Sequence, residues 1–182
     1  DSTAGEDVAT IIGSAMDGAG SLRWVDGWQL LQPAARDNIR LLSVVAATSN
    51  TNAQRCAYAI TGRIVARGDP SEVYLELHDV AGDSVIVRAP GQAVPVSDSW
   101  RGGMRAVTRI LPSLIPTAVP DVEASWASRP PQAVAHFLEG EAAFRRVRLP
   151  EALAAFGAAI AADSTFGLAA MRGAQVAAWD HQ

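Results

Sequence analysis

The side chains that could carry out acid–base chemistry lie far apart in this sequence, with one exception. His78 and Asp79 are neighbours in the run LELHDVAGD, where apolar and polar residues alternate as in a β-strand. Because consecutive side chains of a strand point to opposite faces, the two residues cannot act as a catalytic dyad. We therefore expect His78 on the solvent-exposed face of the strand and Asp79 at the start of a turn.

The other candidates for catalysis or ligand binding are isolated. His136, His181 and the single cysteine, Cys56, lack the spacing typical of zinc ligands. Cys56 lies in the apolar run CAYAITG, where we expect a buried structural thiol, with a reactive thiol as the alternative. The pair Gly102-Gly103 lacks the setting of a phosphate-binding loop. The sequence predicts no catalytic residue, no cofactor-binding residue and no metal ligand, and we expect a protein that is not an enzyme.

Composition excludes further classes of function. The 182 residues carry a net charge of −4 with a pI near 5.3, which gives no electrostatic footprint for nucleic acid. All fifteen basic residues are arginine, so Schiff-base and P-loop lysine chemistry are excluded. No window approaches the ~20 apolar residues of a membrane span. Since the first residue is Asp1, we expect a fragment or a processed product; a signal peptide, a membrane anchor and a catalytic domain upstream all remain open.

Tryptophan and arginine give the clearest indication of a partner. The five tryptophans lie near the ends of predicted elements; they either pack at core edges and between domains or anchor an interface. Three arginines in the run FRRVR lie at the turn between two predicted helices. They form a solvated rim, match the negative end of a helix dipole, or contact an acidic partner or lipid headgroups. The candidate partner-binding residues are Trp126, Phe144, Arg145, Arg146, Arg148 and Trp179.

Helices and strands are both predicted, and the fold class is α+β. Apolar residues at helical spacing predict helices over 7–19, 33–47 and 99–115, the last kinked or ended by Pro112. Alternating residues and turn sequences predict a three-stranded meander over 58–65, 72–78 and 85–88. We expect a small antiparallel or mixed sheet of three or more strands with helices, followed by an all-α helical hairpin plus one helix.

The last third of the chain carries a pattern of small residues around one aromatic residue. Gly140 would lie in one helix, and Ala152, Phe156 and Ala159 in the next; Ala174 stands 34 residues after Gly140. This stretch resembles the tetratricopeptide repeats, with one repeat and the first helix of a second. It departs from them at His136, where Trp is frequent, and at Ser164, where Pro is common. The resemblance implies a helical hairpin that binds proteins.

The middle of the chain resembles a second family. The piece AITGRIVARGDPSEVYLELHDVAGDSVI, Ala59–Ile86, with its Leu77-His78-Asp79, is similar to the TolB amino-terminal-domain-like fold. That family begins with an apolar strand, whereas this sequence begins after it. The resemblance therefore implies a sheet with an incomplete edge, where a strand from a partner could add.

These expectations combine into one hypothesis. We predict a TolB-N-like α+β domain at 1–118, a Pro-rich linker at 119–130 and a tetratricopeptide-like unit at 131–182. The expected function is a non-catalytic interaction or scaffold module, an accessory or stabilising subunit of a larger bacterial complex, with protein partners and no cofactor; whether that complex is membrane-bound remains open. The expected location is extracytoplasmic, in the periplasm, with the cytoplasm as the alternative. A second hypothesis is the ligand-binding region of a signalling protein such as a serine/threonine kinase or cyclase.

Overall fold

The architecture is α+β, as predicted, with a three-stranded antiparallel sheet and helices. The computed structural model describes residues 2–17, 21–32, 54–66, 68–115 and 122–180. The chain divides into two units between Val122 and Glu123. The predicted helix over 33–47 lies outside the described residues.

Among its described residues, the first unit contains three α-helices and the sheet. The helices are α1 Ser2–Met16, α2 Gly27–Leu30 and α3 Ser99–Leu114, and the strands are β1 Tyr58–Ala66, β2 Ser71–Asp79 and β3 Ser84–Val94. Helix α1 begins five residues before its predicted start. Strand β3 runs six residues past its predicted end and includes Pro90. Pro90 has no backbone N–H to donate to a neighbouring strand, and an edge strand tolerates such a residue. Helix α3 continues past Pro112 and ends at Leu114.

The sheet is the predicted meander, and its turns are built as the sequence indicates. The strand order is β1-β2-β3, and both neighbouring pairs are antiparallel. In the second turn, the carboxylate of Asp79 accepts hydrogen bonds from the backbone N–H groups of Ala81 and Gly82, at 3.0 and 3.2 Å. Asp79 therefore starts a turn, as predicted.

Helix α3 lies between the sheet and α1. Two adjacent glycines of α3 allow both contacts: a Cβ on Gly102 would lie 2.8 Å from Val73 of the sheet, and one on Gly103 would lie 2.8 Å from Val8 of α1. The core is formed by the apolar stripes of the three layers, Val8, Ile11, Ile12, Val73, Leu75, Leu77, Met104, Val107, Ile110 and Leu111. The Gly102-Gly103 pair therefore serves close packing of the layers.

The second unit is helical. It contains α4 Val122–Ala127, α5 Pro131–Arg145, α6 Leu149–Ala162 and α7 Gly167–Asp180. Helices α5 and α6 pack against each other across the short turn 146–148, and α6 packs against α7. Helix α4 lies in the segment 119–130 that was predicted as a linker, so part of that segment is helical.

Candidate protein-interaction surface

His78, the strongest candidate for acid–base chemistry, is closed off from solvent. Its side chain is 6% exposed, and its Nε2 lies 2.8 Å from the Thr61 hydroxyl and 3.8 Å from a carboxylate oxygen of Glu76. The expectation that His78 lies on an exposed face was wrong. Strand alternation correctly places the imidazole on the polar face of the sheet, but it carries no information about whether that part of the face is covered. An enclosed imidazole that already bonds Thr61 is not placed to exchange a proton with a substrate.

Two further contacts on this sheet face join side chains of neighbouring strands. Arg88 Nε donates to Glu76 at 3.0 Å, and the guanidinium of Arg63 lies 4.8 Å from the ring centre of Tyr74. These contacts are exposed or partly exposed, so each stabilises the fold weakly. Both contacts thus support the pairing of the strands.

Cys56 does not occupy a core position. It lies just before β1, outside regular structure, and is half-buried, with its Sγ 4.0 Å from the backbone oxygen of Gln54. The expectation of a buried structural thiol was wrong, since the apolar run that contains it only becomes a strand at Tyr58. Among the residues that the structure describes, no group of three or more His, Cys, Asp or Glu side chains could hold a metal ion.

An aromatic cluster forms the core of the helical unit. Phe137 of α5 lies 5.1 Å from Phe166, 5.5 Å from Trp126 and 5.8 Å from Phe156, measured between ring centres. Tilted and edge-on pairs at these distances add stability beyond burial alone. Trp126 is only 6% exposed. It therefore packs in the core, which was one of the two interpretations of the tryptophans, and it is not accessible to a partner.

Ion pairs connect the elements of this unit. Arg129 donates to Asp163 at 2.7 Å and its guanidinium lies over the ring of Phe166 at 4.2 Å. The hydrogen bond from the Thr165 hydroxyl, helped by the Thr165 backbone N–H and by Arg129, lowers the pKa of Asp163 below its ordinary value against the opposing effect of burial. Between α5 and α7, Glu141 and Arg172 form a largely buried ion pair, with Arg172 Nε 2.8 Å from a carboxylate oxygen of Glu141.

The turn between α5 and α6 has an unusual residue at its centre. The N–H of Arg148 donates to the Ala143 oxygen at 3.0 Å, and the N–H of Val147 donates to the Phe144 oxygen at 2.9 Å. This is the Schellman arrangement that ends many helices, and its left-handed position is usually glycine. Here that position is Val147, with φ of 57° and 77% exposure. A β-branched residue in this conformation is strained, and its exposed side chain gains nothing from burial.

The other predicted contact residues lie around this turn. Phe144 packs on Trp179 of α7, with ring centres 5.3 Å apart, and Trp179 is 51% exposed. Arg145 is half-buried, and Arg146 and Arg148 are exposed; Arg146 also donates to the Ala142 oxygen at 2.9 Å. We call Phe144, Arg145, Arg146, Val147, Arg148 and Trp179 the arginine turn surface. It brings together five of the six residues predicted from the sequence, and it adds Val147.

Sequence reasoning missed Val147 although a signal for it existed. The helix that ends at Arg145 has no glycine after it, and an isolated valine stands between two arginines. A helix without glycine at its end must place another residue in the left-handed position or end differently. The exposure of that residue, however, depends on tertiary packing.

The comparisons with known proteins identify no relative of this chain. No family model matches it, and no curated protein or solved structure shows a significant match. No helix among the described residues is long and apolar enough to span a bilayer.

Proposed function

We propose that this protein is a non-catalytic interaction module that binds a protein partner through the arginine turn surface, as an accessory subunit of a larger bacterial assembly. The observation that carries the proposal is Val147, which is both strained and exposed. Val147 lowers the stability of the fold in two ways, through its strained backbone and through its exposed apolar side chain. We infer that this residue meets a requirement other than folding. Contact with a partner is such a requirement, since burial in an interface would make use of the exposed side chain.

The charges of the surface favour an acidic partner segment. Three arginines lie within four residues, and Arg148 has no side-chain partner among the described residues. Arginine forms paired hydrogen bonds with carboxylates and is enriched at binding hot spots. Phe144 and Trp179 add an aromatic pair beside the charges. We therefore expect a partner segment that places an apolar side chain against Val147 and carboxylates against the arginines.

The substitution Val147→Gly separates binding from folding, because it should move the two in opposite directions. Glycine relieves the left-handed strain, which costs an ordinary residue about 1–2 kcal/mol, so the variant should be more stable than the native chain. The same substitution removes the apolar contact and should weaken the complex. A residue with only a structural role would not give an increase in stability together with a loss of binding.

The experiment is a cross-linked pull-down of the full chain from native membranes and soluble extract, with mass spectrometry. We expect one protein that the native chain and Arg23→Glu recover and that Arg148→Glu and Val147→Gly lose; Arg23 is an exposed arginine of the other unit and controls for the charge change. Affinities of the purified pair should fall at least about tenfold, or 1.4 kcal/mol, for Arg148→Glu. Equal recovery by all four chains would refute the proposed surface. Recovery of no partner would refute the module and favour the ligand-binding region of a signalling protein.

A further inference from the structure

The two edge strands of the sheet differ in how they are protected. In the part of the chain that the structure describes, β1 and β3 each pair with β2 alone. Edge strands are commonly protected against pairing with another chain by proline, by bulges or by charged side chains. Strand β3 contains Pro90, and its register against β2 shifts twice. The edge at β3 is therefore unsuited to a further strand.

Strand β1 lacks these protections. Its nine residues contain no proline and pair with β2 in one register without a shift. The only charged side chain of β1, Arg63, lies over the ring of Tyr74 of β2, 4.8 Å from the ring centre, and so leans away from the outer edge. Gly62, in the middle of the strand, is exposed. Because glycine has no side chain, this exposure means that water reaches the backbone of β1.

The backbone groups of β1 that point away from β2 follow from one hydrogen bond. In an antiparallel pair of strands, opposite residues alternate between pairs that exchange both hydrogen bonds and pairs that exchange none. Immediately before the first pair of these strands, the N–H of Val80 donates to the oxygen of Ala57 at 3.0 Å. Counting in twos from that bond, the residues of β1 that bond to β2 are Ala59, Thr61, Arg63 and Val65. The residues between them, whose N–H and C=O groups point to the outer edge, are Tyr58, Ile60, Gly62 and Ile64.

The outer edge of β1 is complementary to itself. When a second β1 lies antiparallel with Gly62 opposite Gly62, Ile60 of each copy lies opposite Ile64 of the other. All these residues point their N–H and C=O groups to the edge, so this register forms hydrogen bonds in both directions along the strand. The side chains agree as well, because Ile60 and Ile64 lie on the apolar face of the sheet, opposite Leu77 and Val73 of β2. The one charge of β1 lies opposite a threonine, so no like charges meet directly.

We propose that two copies of this chain associate through β1, antiparallel about Gly62. The two three-stranded sheets then form one continuous sheet of six strands. The occupant of the edge is a second copy because the edge supplies its own complement: each outward N–H of one β1 meets an outward C=O of the other. Such an interface uses the same surface on both subunits and closes after two copies, so it gives a dimer and not a fibre.

The first test is hydrogen exchange at single amides, followed by NMR on the full chain at two concentrations that differ about a hundredfold. In the concentrated sample, the amides of Tyr58, Ile60, Gly62 and Ile64 should be protected. On dilution their exchange should become at least about tenfold faster, since the hydrogen bonds to the second copy are lost. The alternate amides, which bond to β2, should keep their protection and serve as internal controls. Sedimentation should show a dimer that dissociates over the same range.

The second test removes one outward N–H from β1. Ile64→Pro and Ile64→Ala both lose the isoleucine side chain, but only proline also loses the N–H that the second copy would bind. An edge strand tolerates proline where its N–H would face outward. Dimer affinity, measured by sedimentation, should be at least about tenfold weaker for Ile64→Pro than for Ile64→Ala. Gly62 is not used for this purpose, because a Cβ there would lie 2.7 Å from the Leu75 side chain.

The outcomes separate the possible occupants of the edge. A dimer whose dissociation exposes the alternate set of amides supports the proposal, and so does its selective loss in Ile64→Pro. A chain that is monomeric at both concentrations overturns it, whether the edge amides exchange rapidly or are protected within the monomer. A dimer in which these amides do not respond to dilution places the interface elsewhere and overturns it too. Protection that appears only with a different protein assigns the edge to that protein and overturns the dimer. If Ile64→Pro does not fold, the amide pattern of the native chain decides.

Discussion

Replacing Gly140 with alanine should destabilise the helical unit, although alanine is the better helix former. The residue lies inside α5, directly against the ring of Phe156. An added methyl group would meet three ring atoms at 2.6, 2.7 and 3.0 Å, all closer than van der Waals contact. The ring has little freedom to move away, because Phe156 is fully buried and packs on Phe137.

The expected magnitude follows from two opposing effects. Exchanging glycine for alanine inside a helix stabilises it by about 0.5–1 kcal/mol. Inserting a methyl group into a well-packed core costs about 1–3 kcal/mol. Gly140→Ala should therefore lower the free energy of unfolding by about 1 kcal/mol. In a unit of this size, each kcal/mol shifts the melting temperature by about 4–8 °C.

Gly157 offers a matched control in the neighbouring helix. It lies inside α6, and an added Cβ would meet no atom within 4 Å. Gly157→Ala should stabilise the unit by about 0.5–1 kcal/mol, through helix propensity alone. Because that gain is common to both substitutions, the difference between the two variants, about 1–3 kcal/mol, measures the clash at Gly140.

The assay should report on the helical unit separately from the sheet unit. Hydrogen exchange with mass spectrometry on peptides from α5, α6 and α7 gives an opening free energy for that unit within the full chain. Gly140→Ala should speed exchange there, and Gly157→Ala should slow it. The reasoning is refuted if Gly140→Ala stabilises these helices as much as Gly157→Ala does, because α5 would then not approach Phe156 closely.

Two further predictions concern the same unit. The pKa of Asp163 is lowered in the folded chain, chiefly by the Thr165 hydroxyl. The stability that the Asp163 carboxylate contributes is therefore complete above the pKa of an aspartate in the unfolded chain, about 4. It is lost as the pH falls through the lowered pKa of the folded chain. Urea unfolding from neutral to acid pH should therefore show Asp163→Asn less stable near neutrality and equal to the native chain in acid, and a difference independent of pH would contradict this. Trp126→Ala should lower the free energy of unfolding by about 3–5 kcal/mol, because it opens a cavity between Phe137 and Phe166. Trp179→Ala should lower it by about 1 kcal/mol or less. If hydrogen exchange shows equal losses of stability for the two variants, Trp126 is not a core residue.

Local patterns predicted the elements of the sheet unit well, because turns and strands depend on neighbouring residues. The alternation of β2 and the turn chemistry at Asp79 were sufficient for an antiparallel meander. The length of β3 was underestimated, because Pro90 and Gly91 are typical ends of a strand and only the edge position makes them acceptable.

Burial was harder to predict than secondary structure. Alternation assigns His78 to a face, and Trp126 falls in the predicted linker 119–130, but neither prediction says which surfaces another element covers. Both side chains are buried. Val147 shows the converse, since apolar residues are predicted to lie inside and this one is among the most exposed.

The proposed interaction surface rests on a feature that the fold itself leaves unexplained. Inside the helical unit, the charges of Arg129 and Glu141 are paired, and the aromatic rings interlock. Outside it, Val147 exposes an apolar side chain at a left-handed position where glycine would satisfy the local structure better. Because Val147 opposes the stability of the isolated fold, a partner that buries its side chain would gain free energy that the fold leaves unused. The arginine turn surface is cationic, so added salt should weaken binding of an acidic partner there.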